Sequence, residues 1–203
     1  MRLKLDHLAV VARDLETGAR WMAERLGVAP GPGGRHARFG TWNRLMGLGS
    51  GLYLEVIAPD PEAASDGPRW FGLDAAPDAP RLGNWICAVD DISQAGDDFG
   101  TVRELSRGDL RWRIAVPKDG SLPAAGGLPT LIEWGQGVVP PGESLPEVGV
   151  HLSELVIRHP DAAALEARIA PLLTAPCPVR WEAAPAPALA ARFETPGGTA
   201  WVE

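Results

Sequence analysis

The sequence predicts an α+β fold made of repeated βαβββ modules, and three observations carry that expectation. Short apolar runs with strand character recur along the whole chain and are interrupted by only a few helical patterns. Gly (24) and Pro (20) are scattered between those runs, as tight connections between many short strands require. Two segments also repeat in order. Tyr53-Leu54-Glu55 and Leu131-Ile132-Glu133 look alike, and their glutamates are 133 − 55 = 78 positions apart; the same offset carries His7 in the first strand onto Trp85 in a later one.

Taken in order, Leu3 to Ala12 reads as a strand with apolar residues on both faces, as in a strand covered on both sides. Asp14 is an N-cap, Leu15, Ala19, Met22 and Leu26 follow at helical spacing, and Gly27 is a C-cap. The run Pro30-Gly31-Pro32-Gly33-Gly34 is a loop; it lacks the helix start that a phosphate-binding loop needs. His36 to Trp42, Asn43 to Leu48 and Leu52 to Ala58 then read as three strands, closing a first module over residues 1–60. Residues 61–81, rich in Pro, Ala and Asp, read as a linker.

A second module follows over residues 82–136. Asn84 to Val89 is its first strand, a short helix capped by Asp90 or Asp91 runs through Ile92, Ala95 and Phe99, and Val102 to Ser106, Leu110 to Val116 and Pro129 to Trp134 are its last strands. Residues 148–203 form a degenerate third module with a strand at His151 to Arg158, a helix capped by Asp161 and ended by Pro171, and three closing strands. Two modules close one cleft and leave the third unpaired, so a C2 homodimer through residues 148–203 is the expected assembly.

Bulk properties exclude several classes. A net charge of -7 argues against a nucleic-acid partner, which demands a basic face. No apolar run is long enough to cross a membrane. Charges appear too early in the chain for a signal peptide, and Cys87 and Cys177 are far apart without a CxxC pattern, so a reduced, cytoplasmic protein is expected. A small molecule is the expected partner.

Strand alternation places His7 with Leu5 and Ala9, Glu55 with Tyr53 and Ile57, and Glu133 with Leu131. A carboxylate among such neighbours must be paired, hydrogen-bonded or metal-bound. Two readings compete for Glu55 and Glu133: a metal, or a salt bridge to Arg38, Arg44, Arg111 or Arg113. His7 is either a ligand or a hydrogen-bonded strand histidine. His36 is either a strand cap or an acid–base group, Asn43 either a turn residue or a substrate-orienting amide. Trp85, Trp112 and Trp134 either pack or wall a pocket, with Cys87 at its border.

Asp6-His7-Leu8, Gly33-Gly34-Arg35-His36, Gly40-Thr41-Trp42-Asn43, Tyr53-Leu54-Glu55 and Leu128-Pro129-Thr130-Leu131-Ile132-Glu133-Trp134, in that order, resemble the glyoxalase-like domains of the vicinal oxygen chelate superfamily. The resemblance spans about residues 4 to 170. It implies a lyase or isomerase acting on vicinal oxygens through a divalent Mn, Fe, Ni or Zn ion, or else a metal-free small-molecule binding protein. It implies metal ligands at His7, Glu55 and Glu133, with Glu133 also a proton shuttle beside His36. Asn43, Trp85, Trp112 and Trp134 would line the substrate pocket. Trp85 departs from the family pattern at the fourth ligand position, because indole cannot ligate a metal, so a three-ligand centre is the expectation.

Overall fold

The computed structural model describes residues 1–203. The first module comprises β1 (Leu3–Val11), α1 (Leu15–Leu26), β2 (Arg35–His36), β3 (Thr41–Gly49) and β4 (Leu52–Pro59). Helix α1 starts where the Asp14 side chain accepts the Thr17 N–H at 2.7 Å and ends at Gly27 in the left-handed conformation (φ 71°). Its buried stripe is Leu15, Gly18, Ala19, Met22 and Leu26. Gly18 lets the helix sit close to the sheet: a Cβ there would lie 2.6 Å from Val56 Cγ2 and 2.7 Å from Ala12 Cβ.

One boundary moves relative to the expectation. Thr41–Gly49 is a single strand, so Asn43 lies inside β3 and not at a turn. The chain instead turns earlier, through a 3₁₀ segment at Ala37–Phe39 that ends on Gly40 (φ 55°). The segment between the first two modules is also more than a connector. A 3₁₀ turn at Trp70–Ala75 buries Trp70, Phe71 and Leu73 against the sheet.

The second module comprises β5 (Arg81–Ala88), β6 (Thr101–Arg107), β7 (Leu110–Val116) and β8 (Thr130–Trp134). The expected α-helix over Ile92 to Phe99 is replaced by two 3₁₀ turns, Ile92–Gln94 and Asp97–Phe99. Gly96 between them is extended (ψ 163°), and Asp91 spends its carboxylate on the Ser93 N–H and hydroxyl, a turn motif.

The eight strands form one curled sheet in the order β2-β3-β4-β1-β5-β8-β7-β6. Each module has its first strand parallel to its last, and β1 pairs antiparallel with β5 at the centre. The two module halves therefore face each other across one cleft. Its interior is lined by Ala9, Val11, Phe39, Ile57, Trp70, Phe71, Leu73, Ile86, Trp112, Ile114, Val116 and Ile132.

After a single-turn helix, α2 (Pro141–Ser144), the third module comprises β9 (His151–His159), α3 (Ala162–Ile169), β10 (Leu173–Thr174), β11 (Val179–Ala183), β12 (Ala188–Thr195) and β13 (Gly198–Val202). Leaving β10 aside, it keeps the β-α-β-β-β succession with a different strand order, β11-β9-β12-β13, in which the first strand is flanked on both sides. β10 leaves this sheet to extend the curled one, pairing with the start of β1. Leu152, Leu155, Ile157, Leu189, Phe193 and Val202 join Leu3, Leu5, Leu8, Trp85 and Leu131 in one core on the convex side of the curled sheet. The third module, expected to be left unpaired, thus packs within the chain on the convex side of the curled sheet.

Candidate active site in the cleft

A bulge in β1 aims the site. The β1–β5 register shifts between Leu5 and His7. Before the shift Leu3 and Leu5 face the convex core; after it Leu8 and Val10 do. Leu5 therefore does not share the His7 face, as simple alternation would have it, and both Asp6 and His7 turn towards the cleft. Asp6 accepts a hydrogen bond from Trp134 Nε1 at 2.9 Å, and its other oxygen contacts His7 Nδ1 at 2.6 Å.

β4 supplies the neighbours. Tyr53, directly across from His7, stacks on the imidazole with ring centroids 4.2 Å apart. Glu55 Oε1 lies 3.7 Å from His7 Nε2. Glu55 Oε2 accepts a hydrogen bond from Asn43 Nδ2 at 2.8 Å. Asn43 is held in that orientation because its Oδ1 accepts from the Gly34 N–H at 2.9 Å and from Arg107 Nη1 at 3.2 Å. His7 and Glu55 are 5% and 4% exposed, so these charges act on each other through little water.

Burial alone would lower the His7 pKa, but its hydrogen bond to Asp6 and the neighbouring Glu55 carboxylate outweigh that and lift it to about 9. Burial likewise pushes Glu55 up, while His7, helped by His36 and Asn43, holds it below the ordinary carboxylate range. At neutral pH the floor of the cleft is an imidazolium facing a carboxylate. His36 is the opposite case: burial, with Arg107 and His7 nearby, lowers it to about 4 despite the pull of Glu55. Arg107 Nη1, 3.2 Å from His36 Nε2, can only donate. The neutral ring therefore carries its proton on Nδ1, which donates to Thr41 Oγ1 at 3.1 Å; the same oxygen accepts from Trp70 Nε1 at 3.0 Å.

The cleft thus brings together His7, Glu55, Asn43 and His36, walled by Trp112 and Trp134. It does not contain Glu133 or Trp85. In β8 it is Ile132 and Trp134 that face the cleft, and Glu133 projects from the opposite side. There it forms a forked ion pair with Arg113, 2.6 Å to Nη2, and accepts the Ile92 N–H at 2.7 Å. The assignment of Glu133 as metal ligand and proton shuttle is therefore corrected: an offset matched on letters aligned two glutamates of opposite side-chain direction. Trp85 is corrected for the same reason. It is fully buried in the convex core, donating to the Gly126 carbonyl at 3.0 Å, with Cys87 on the same side. Ile86 faces the cleft instead.

The donor set bears on a metal. With Glu133 on the far face, His7 and Glu55 are the two members of the expected ligand triad left in the cleft, and the His36 ring nitrogens are committed to Thr41 and Arg107. No cluster of three His, Cys, Asp or Glu side chains suited to a metal occurs in the chain. The residues present do not fit the three-ligand centre that the resemblance implies.

Glu133→Gln is accordingly expected to leave the cleft unchanged. It removes a half-exposed ion pair while keeping an acceptor for Ile92, and should cost less than about 1 kcal/mol in chemical denaturation. A collapse of cleft-dependent activity in that variant would return Glu133 to the site.

Several cleft residues escaped the sequence reading. Asp6 is next to His7 but needs the bulge to reach it. Trp70 and Phe71 lie in the presumed linker, where an aromatic pair in a Pro- and Ala-rich stretch was the available signal. Tyr53 was visible as a neighbour of Glu55. Arg107 carries no sequence signal, since it comes from the far module.

The chain belongs to the glyoxalase-like domain family: the family model matches residues 5–173. Among solved structures, a hypothetical protein from Staphylococcus aureus shares the fold with a TM-score of 0.62 and 12% identity, over 93% of this chain and 88% of that one. More distant likenesses include methylmalonyl-CoA epimerases. That of Mycobacterium tuberculosis is 23% identical, over 64% of this chain and 85% of that one, with a TM-score of 0.41. That of Streptomyces coelicolor, in complex with 2-nitronate-propionyl-CoA, is 16% identical over 68% of this chain and 100% of that one, with a TM-score of 0.45. No curated protein matches the chain significantly in sequence. No helix is long and apolar enough to cross a membrane.

Proposed function

We propose that the cleft is an enzyme active site for proton transfer at carbon, of the isomerase or lyase class, with Glu55 as the base. The observation that carries this reading is the Glu55 carboxylate, almost fully buried at the end of an aromatic cleft between the His7 imidazolium and the Asn43 amide. Perturbed titratable groups converging in a concave apolar site support a functional centre. Their separation in pKa also divides the roles.

Glu55 accepts the proton of a C–H bond adjacent to a carbonyl. The C–H electron pair moves onto the carbonyl oxygen, and the resulting oxyanion is stabilised by the His7 N–H. Delivering the proton to a different carbon of the enolate, or to the opposite face of the same carbon, isomerises the substrate; collapse of the enolate electron pair with loss of a leaving group from the neighbouring carbon eliminates it. A substrate oxygen entering beside His7 loosens the 3.7 Å contact that keeps Glu55 weakly basic, so Glu55 gains basicity on binding. Asn43 holds the second carboxylate oxygen throughout. Trp70, Phe71, Trp112 and Trp134 exclude water around the reacting carbon.

The test is proton NMR of small carbon acids, such as 2-oxobutanoate and ethyl 2-oxobutanoate, incubated with the protein in D2O. Protein-dependent loss of the signal next to the carbonyl, persisting after treatment with a strong chelator, is expected. Exchange abolished by the chelator and restored by Mn, Fe, Ni or Zn would overturn the metal-free reading. Saturable binding without exchange would favour the binding-module function that the aromatic walls also suit.

A further inference from the structure

The geometry points to Arg107 as the recognition residue for a carboxylate, so that the ligand of the cleft is a small organic acid. This deepens the reading above and rests on the same cleft. Arg107 stands at the end of the edge strand β6 and reaches across the cleft to the first module. Its two protein contacts, Asn43 Oδ1 and His36 Nε2, are both neutral acceptors and both are made by Nη1. Nε and Nη2 keep their donors free, and the guanidinium makes no ion pair with the protein. A planar cation with unspent N–H groups at the mouth of an apolar cleft matches a carboxylate in charge and in fork geometry.

Three further observations show that this seat is built. Gly34 makes room for the side chain: a Cβ there would lie 2.6 Å from Arg107 Cδ and 2.8 Å from its Nε. His36, whose Nε2 accepts from the guanidinium, is nine-tenths buried, and its proton is directed away to Thr41. Asn43 joins the seat to the reacting group, accepting from Arg107 on one side and donating to Glu55 on the other. The cleft has a volume of about 30 Å³, room for roughly a water molecule, so the ligand enters by displacing the Arg107 tip from its neutral partners. The tip adjoins the Gly108–Asp109 turn of the β6–β7 hairpin and lies outside both apolar cores, so no core packing is lost when it shifts.

The chain as a whole carries a charge of -7, which repels anions, so any preference for an acid over its neutral analogue must be local. The experiment is a tryptophan-fluorescence titration, since Trp70, Trp112 and Trp134 line the cleft, of 2-oxobutanoate, malonate and phenylacetate against their amides. The parent should bind at least one acid about tenfold or more tightly than its amide, the range expected for a charge-assisted pair. Arg107→Gln should abolish the preference, Arg107→Lys should retain part of it, and Gly34→Ala, which crowds the guanidinium without removing it, should weaken it. Glu55→Gln should keep the preference or strengthen it, having lost a nearby negative charge. That last arm separates this inference from the proton-transfer reading: binding that depends on Arg107 can stand even where no exchange is found. Equal binding of acid and amide by the parent, no binding of any acid, or a preference that survives Arg107→Gln in a folded variant overturns the assignment.

Discussion

Glu55→Gln is expected to slow carbon–hydrogen exchange in the cleft by about 100- to 10,000-fold, the usual contribution of a positioned general base. The substitution preserves the shape of the side chain. The amide is nearly isosteric with the carboxylate, and its oxygen still accepts from Asn43 Nδ2. Asp6 still contacts His7 Nδ1, so the imidazolium keeps one partner. The protein should therefore fold, and the loss should appear in the rate of the chemical step more than in ligand affinity. Stability offers a second readout. The folded Glu55 pKa lies below its unfolded value of 4.5, so its contribution is present above that pH and is lost as the pH falls through the folded value. Glu55→Gln should flatten this acid limb. Parent-like exchange in the variant would remove Glu55 from the role of base.

His7→Ala should have the largest effect on stability. Removing the imidazolium leaves Asp6 and Glu55 buried on either side of the lost ring without their shared cation, and breaking a buried charge set in this way costs about 3–5 kcal/mol. The pH dependence distinguishes this from simple loss of packing. The His7 pKa rises from 6.5 unfolded to about 9 folded. Its contribution is thus complete below pH 6.5 and is lost as the pH rises to about 9; it amounts to roughly 3 kcal/mol. Unfolding midpoints of the parent should fall across that window, and those of His7→Ala should not. A parent whose stability is level from pH 6 to 9.5 would show that His7 is not held as an imidazolium. His36 offers the contrast: held neutral, with a pKa near 4, it contributes no fall in this window.

Both experiments address residues already visible in the sequence, and it is instructive why some were and others were not. The elements of the first module were legible because each depends on local chemistry. Asp14 and Gly27 terminate α1 through their own hydrogen bond and backbone conformation, and its apolar stripe has a period set by the helix itself. The failed helix over Ile92 to Phe99 is the same lesson in reverse. An apolar spacing was present, but Gly96 and the Asp91 turn chemistry decide so short a segment. Glu55 was legible as a carboxylate in an apolar strand, which must find a partner when buried; Asn43, read as a turn residue or an orienting amide, was placed inside β3 only by the structure.

What the sequence by itself determined is the α+β class with its recurring strand modules, the strands that carry His7 and Glu55, and the resemblance to a family. Only the tertiary structure decided which side of each strand meets which neighbour. A single-residue bulge reverses the faces of β1, turning Asp6 and His7 into the cleft and Leu5 away. The pleat of β8 sends Glu133 and Trp134 in opposite directions, one to Arg113 and the other to Asp6. Arg107 meets Asn43 across 64 positions of chain, a distance over which no periodicity carries information. Face and register are set by pairing between distant segments, through a repeat of two residues that one inserted or misaligned position inverts. For that reason letters alone place the candidate residues on their strands, and only the closed sheet selects those that share a site.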